Sequence, residues 1–156
     1  MVSVRNVAVV GGLMAIIGAG VMVPSALASY SSSLEVKLNG LKSANGQVCL
    51  TVFSGPKGFP AGGQGSNLMA SRCIALGKGG SQVTFENLPL GIYAIAVIHD
   101  SNSDGRLNTN PLGIPSEGFG FSNNPPLRFG PAKFGDAQVF VSGTKTLVQI
   151  QMRYLN

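Results

Sequence analysis

Leu34-Glu35-Val36-Lys37-Leu38-Asn39 alternates apolar and polar side chains, and Val48-Cys49-Leu50-Thr51-Val52 does the same beyond Asn45-Gly46. A period of two marks a strand with one buried face, because successive side chains leave a strand on opposite sides. Asn-Gly suits the positive φ angles of a tight turn, so the two runs are expected to pair as a hairpin. Further out, Arg72 to Leu76 reads as a short strand, and Val83 with Phe85 as the inward face of another. Val139 and Val141, then Val148 through Tyr154, read as two more around Ser142-Gly143. Ile92 to Ile98 is apolar at every position, which predicts a central strand covered on both faces. Gly55 to Gly65 reads as a Gly-rich loop. No segment carries a convincing helical period. The expected fold is all-β, a single antiparallel β-sandwich of about seven strands with a long ordered loop before the last two.

The composition agrees with such a fold. Of 156 residues, 22 are Gly and 9 are Pro, which suits a turn-rich chain, while 44% are apolar, which excludes a disordered polar chain. Only 11% are charged, so Asn, Gln, Ser and Thr must carry much of the contact with solvent. The net charge is +5, yet the basic residues are scattered and no two are adjacent. Nucleic acid is therefore not expected as a partner, and the charge licenses no more than a loose attraction to anionic envelope components.

Arg5 is the only charged residue before Glu35, and it precedes the apolar run Val7 to Val23 and the triplet Ala26-Leu27-Ala28. That pattern reads as a secretory signal peptide over residues 1–28, leaving a single domain over residues 29–156 and no membrane span once the signal is removed. An uncleaved anchor is the alternative, since the run approaches the length that spans a bilayer. The expected location is periplasmic or extracellular. In such an oxidising compartment Cys49 and Cys73 allow one intramolecular pairing, expected as a structural disulfide. Closing a loop of that size restricts the unfolded chain by roughly 3.5 kcal/mol.

The chemistry concentrates between Ile98 and Val139. This connection is too long to be a plain loop, and Leu107, Leu112, Ile114, Phe119, Phe121, Phe129 and Phe134 give it material to bury, so a packed excursion over one end or face is expected. Asp100-x-Asn102-x-Asp104-Gly105 matches the first half of an EF-hand-type calcium loop. The Arg106 carbonyl and Asn108 would extend the ligand set. Pro111 stands where the bidentate glutamate belongs, and Glu117 could supply that carboxylate if the chain folds back. The same residues equally read as an Asx-rich turn that caps its own backbone. His99 is the only histidine, so no multi-histidine zinc site can form. A recognition surface is expected to include His99, Glu117, Phe119, Phe121 and Asn123, with an envelope or extracellular ligand. The competing expectation is a hydrolase of envelope glycans or esters, with Asp100, Glu117 and His99 as acid and base groups.

Phe85-Glu86-Asn87-Leu88-Pro89-Leu90-Gly91-Ile92-Tyr93 resembles the Phe-x-x-Leu-Pro-x-Gly-x-Tyr turn and strand of transthyretin-like and carboxypeptidase-regulatory-like sandwiches. With His99-Asp100 through Gly105 and Gly113 through Ser122, the chain resembles the bacterial family called domain of unknown function 2141, over about Leu34 to Tyr154. The resemblance implies a small exported sandwich, immunoglobulin- or transthyretin-like in fold. It carries over no catalytic residues and no assigned activity.

Overall fold

A computed structural model describes residues 31–77, 81–127 and 130–155. Residues 1–28, expected as a signal peptide, and Phe129 lie outside the described residues. Among the described residues eight strands form: β1 (Ser31–Asn39), β2 (Gln47–Phe53), β3 (Leu68–Ala75), β4 (Gln82–Pro89), β5 (Gly91–Asp100), β6 (Gly118–Phe121), β7 (Gln138–Val141) and β8 (Lys145–Gln151). A 3-10 turn, Phe134–Ala137, precedes β7. The strands make a three-stranded sheet, β4-β1-β8, packed on a five-stranded sheet, β3-β2-β5-β6, in which β7 also pairs with β5. The all-β sandwich read from the sequence is therefore present.

Its wiring differs from expectation in three ways. The β1–β2 hairpin does not form: β1 pairs with β4 and β8, whereas β2 pairs with β3 and β5 in the other sheet. Leu34, Val36 and Leu38 thus meet Val48, Leu50 and Val52 within the core between the sheets, where all six are buried. Burying two apolar faces against each other outweighs the local turn signal, because a hairpin would place both faces on the same side of one sheet. The β1–β8 pair runs parallel, Ser33 opposite Lys145 through Asn39 opposite Gln151, inside an otherwise antiparallel sandwich. Finally, the long tract contains a strand, β6, on the edge of β5.

The signature from Phe85 to Tyr93 makes the passage from one sheet to the other. Phe85, Leu88 and Tyr93 are buried in the main core, and the Tyr93 hydroxyl donates to the Pro89 carbonyl at 2.8 Å. The central strand is covered on both faces from Tyr93 to Val97, whereas Ile92, expected to be covered as well, is exposed. Tyr93, Ile95 and Val97 point between the sheets, while Ala94 and Ala96 join a second core on the outer face. That second core collects Phe53, Phe119, Phe121, Ala132 and Ala137, with Phe59 and Phe134 packed on them. Phe59 comes from the Gly-rich loop and sets its ring 5.3 Å from Phe53, 5.9 Å from Phe121 and 6.0 Å from Phe134. Edge-to-face and tilted contacts of this kind add about 0.5–1.5 kcal/mol each to the burial itself. The expected packed excursion covers a face of the sandwich through Phe119, Phe121, Leu107 and Phe134, but Leu112 and Ile114, expected to be buried with them, are exposed because their turn lies off the sheets.

Two short strands share one edge of β5. Here β7 pairs with Gly91 to Ala94 and β6 with Ala96 to His99. Ser122 fills the junction: its N–H donates to the Ile95 carbonyl at 3.0 Å, and its hydroxyl accepts from the Ile95 N–H at 2.8 Å and donates to the Ala137 carbonyl. The chain beyond β8 then ties the sheets together. Met152 N–H donates to Asn39 of β1, while Phe119 and Arg153 exchange backbone bonds of 2.8 and 2.9 Å. Asn124 reinforces this seam, its side-chain amide donating to the Gln149 carbonyl and its side-chain oxygen accepting from the Gln151 N–H. Cys49 and Cys73 stand directly opposite each other on β2 and β3 and form the expected disulfide. The eight strands, both cores and the disulfide described here lie within residues 31–155.

Candidate functional site

The end of the sandwich where β5 finishes carries the polar groups. Strand alternation sends His99 and Asp100 to opposite sides, as expected. Asp100 is fully buried and is the organiser of the loop that follows. Its Oδ1 accepts from the Asp104 N–H at 3.1 Å, and its Oδ2 accepts from the Gly105 N–H at 2.8 Å and the Gln47 side-chain amide at 2.7 Å. Asn102 Oδ1 accepts a second bond from the Asp104 N–H at 3.2 Å. Asp104 accepts from the Arg106 N–H and from the side-chain amides of Asn102 and Asn108. Gly105 has φ +79°, a conformation that a residue with a β-carbon adopts only under strain. The segment is a self-capped Asx turn.

Glu117 returns to the same loop from the start of the β6 segment. Its Oε1 accepts from the N–H and hydroxyl of Ser101, both at 2.8 Å, and its Oε2 accepts from the Asn108 N–H at 3.0 Å. The fold-back of Glu117 toward the Asp100 loop therefore occurs. The Asn108 side-chain oxygen is buried and has no hydrogen-bond partner. The structure brings Asp100, Asn102, Asp104, Asn108 and Glu117 into one network, but the side-chain oxygens of all except Asn108 accept from N–H donors. Among the described residues no group of three or more His, Cys, Asp or Glu side chains is placed to hold a metal ion. Nor is any helix there long and apolar enough to cross a membrane.

These bonds set the titration of the loop. Burial pushes the Asp100 carboxyl up, but the bonds from Gln47, Gly105 and Asp104 outweigh it and hold it below the ordinary carboxylate value. Asp104 is also lowered, by the Asn108 amide first and then by the Arg106 N–H and Asn102. A carboxyl that titrates lower in the folded than in the unfolded chain adds stability above the unfolded value, near pH 4, and loses it as pH falls through the folded value. Melting temperature against pH is therefore expected to drop below about pH 4, and to drop less steeply for Asp100→Asn. Equal slopes for the two proteins would refute the assignment.

His99 lies on the other side, 3% exposed, with both ring nitrogens engaged. Its Nε2 is 2.9 Å from the Asn45 carbonyl and therefore donates. In the neutral ring Nδ1 then accepts from the Tyr154 hydroxyl at 2.7 Å, and that oxygen accepts from the Lys42 N–H at 3.1 Å. The Lys42 ammonium lies 4.8 Å from the centre of the Tyr154 ring. An open cleft of about 290 Å³ is lined here by Lys42, Ser43, His99, Ser101, Glu117 and Tyr154, among others.

Gly118 explains how the ring fits. A β-carbon at this position would lie 2.5 Å from Tyr154 Cζ and closer still to Cε1. Gly118→Ala is expected to push the tyrosine off His99 and to cost about 1–3 kcal/mol. The chain has three tyrosines and no tryptophan, so tyrosine fluorescence and near-ultraviolet dichroism report this shift directly. An unchanged tyrosine signal would show that the ring has another place to go.

The sequence expectation of a recognition surface needs correction at several points. His99 and Glu117 do line the cleft. Phe119 and Phe121 are 6% and 7% exposed and belong to the second core, because the outer face of β5 and β6 needs cover. Asn123 is exposed at the junction, donating to the Asp136 carbonyl away from the cleft-lining residues. Lys42, Ser43 and Tyr154 were not singled out, and their place in the cleft follows from pairings far apart in sequence.

Fold and site together define a two-sheet β-sandwich whose longest loop is fixed by buried carboxylates. The family described as "Uncharacterized protein conserved in bacteria (DUF2141)" matches residues 36–149, and the chain belongs to that family. No curated protein and no solved structure matches it.

Proposed function

We propose that this protein is an exported, non-catalytic envelope or extracellular module that binds or structures its surroundings through the end of the sandwich built by the tract from His99 to Asn124. One observation carries the reading: His99, Asp100 and Glu117 spend their polar atoms on partners within the fold. A hydrolase needs an acid and a base that reach the substrate, and here both ring nitrogens of His99 are engaged while Asp100 is fully buried. Export is supported by the signal-like residues 1–28 and by the pairing of the only two cysteines. Calcium belongs to this proposal as an added stabiliser of the loop. Support for it is the spacing of Asp100, Asn102 and Asp104 together with the partnerless Asn108 oxygen.

The test is a melt of residues 29–156 in millimolar calcium and in EDTA, for the parent and for Asp100→Asn/Asp104→Asn, alongside chromogenic ester and glycoside probes. A ligand that binds only the folded state raises the melting temperature. A rise in the parent alone assigns the ion to the loop, and no rise leaves the self-capped turn. Hydrolysis that disappears in His99→Gln would overturn the non-catalytic reading.

A further inference from the structure

Cys73, Cys49, Ile98 and Phe119 lie in one row across the five-stranded sheet, each directly opposite the next on β3, β2, β5 and β6. Residues paired in this way send their side chains to the same face. Val48, Leu50 and Val52 fill the core between the sheets, so Cys49 and the rest of the row stand on the outer face. Cys49 is 8% exposed and Ile98 is half-buried beside it. Cys73 is exposed, as are Ser71 and Ala75, its neighbours on that face of β3. Strand β3 ends the sheet, and among the described residues no strand pairs with its outer side. A disulfide is opened by a thiolate that approaches along the line of the S–S bond, from the side away from the sulfur that leaves. Attack on Cys49 must therefore come from over β5, where Ile98 stands in the way. Attack on Cys73 comes from beyond β3, where the sheet stops.

From this row we infer that the Cys49–Cys73 disulfide is a thiol-exchange site, opened in the folded protein by a dithiol partner that attacks Cys73. One thiolate of the dithiol bonds to the Cys73 sulfur, the S–S bond breaks, and its electron pair leaves on the Cys49 sulfur, which takes up a proton from water. The second thiol of the partner then gives up its proton and attacks the first. The Cys73 sulfur leaves with the electron pair of the mixed disulfide and is protonated in turn. Two electrons and two protons have passed to the protein, and the partner keeps the new disulfide. Reduction does not part the two cysteines. The ladder between β2 and β3 runs from Gln47 opposite Ala75 to Val52 opposite Ala70, so the thiols stay face to face and an oxidised dithiol remakes the bond by the reverse steps.

The experiment follows reduction of the oxidised protein by dithiothreitol, across a urea series that stops short of unfolding, with free thiols capped by N-ethylmaleimide and read by mass. Without urea the rate is expected to lie within about tenfold of that of the urea-unfolded chain, to rise in proportion to dithiothreitol and to be flat in urea. Reduction by way of global unfolding would be slower by roughly 10³-fold or more and would climb with urea in step with unfolding, and that result overturns the site. A Cys-x-x-Cys protein whose second cysteine is replaced by serine then traps the first step. Peptide mapping after capping is expected to find this probe on Cys73 and the maleimide on Cys49. The probe on Cys49, or on both cysteines alike, overturns the proposal.

Discussion

Asp100→Ala is expected to cost about 3–5 kcal/mol and to unfold the loop from Ser101 to Asn108 before the rest of the domain melts. The side chain is fully buried and accepts from the Gln47 amide and the N–H groups of Asp104 and Gly105. Truncation removes the acceptor of the Gln47 amide and of the Gly105 N–H, and leaves the Asp104 N–H with Asn102 Oδ1 alone. Bonds to a charged acceptor contribute about 1.5–3 kcal/mol each and are not additive, which sets the range. Asp100→Asn keeps the shape and loses the charge, so it should cost about half as much. Urea unfolding of the three proteins measures this, and amide exchange at Asp104 and Gly105 shows whether the loop opens first. A loss below about 1 kcal/mol for the alanine variant would mean that water replaces the carboxylate.

The second large effect is expected at Ser122. Its hydroxyl stands where a backbone group would continue the ladder, accepting from Ile95 and donating to Ala137 at the gap between β6 and β7. Ser122→Ala removes one atom and strands two buried backbone groups, a cost of about 2–4 kcal/mol. For a domain of this size that is a fall of roughly 10 °C in melting temperature. Ser122→Thr restores the hydroxyl and should recover part of the loss if the added methyl is accommodated. Alanine behaving like the parent would show that β6 and β7 close the gap without it.

Much of this was legible in the sequence, and the exceptions share a cause. The period of two located β1, β2, β4, β7 and β8, and the unbroken apolar run located the twice-covered β5. Asn45-Gly46 promised a hairpin that is not made, because a local turn signal says nothing of which sheet each strand joins. β6 escaped notice because Gly118-Phe119-Gly120-Phe121 has no polar face. Its alternation is small against large: a β-carbon at Gly120 would lie 2.7 Å from Ile150 Cγ2, so the glycines mark where another chain segment presses on the strand. That pattern was the available signal. At the site, the Asp100, Asn102, Asp104 and Gly105 spacing correctly marked an organised loop. Lys42 and Tyr154 could not be found from spacing, since Tyr154 reaches His99 from 55 positions away and Lys42 meets Tyr154 in turn.

The parallel alignment of β1 with β8 has a consequence for how the molecule comes into being. Strand β1 must wait for β8 before its second edge is filled, and the seam through Met152 and Arg153 closes later still. Until those residues emerge, a growing chain holds β1 with one open edge and the two sheets unstitched. Synthesis of β1 and closure of its sheet are thereby separated in time, and the unfinished chain remains open to threading, to holdase chaperones and to proteases until residues 145–153 arrive.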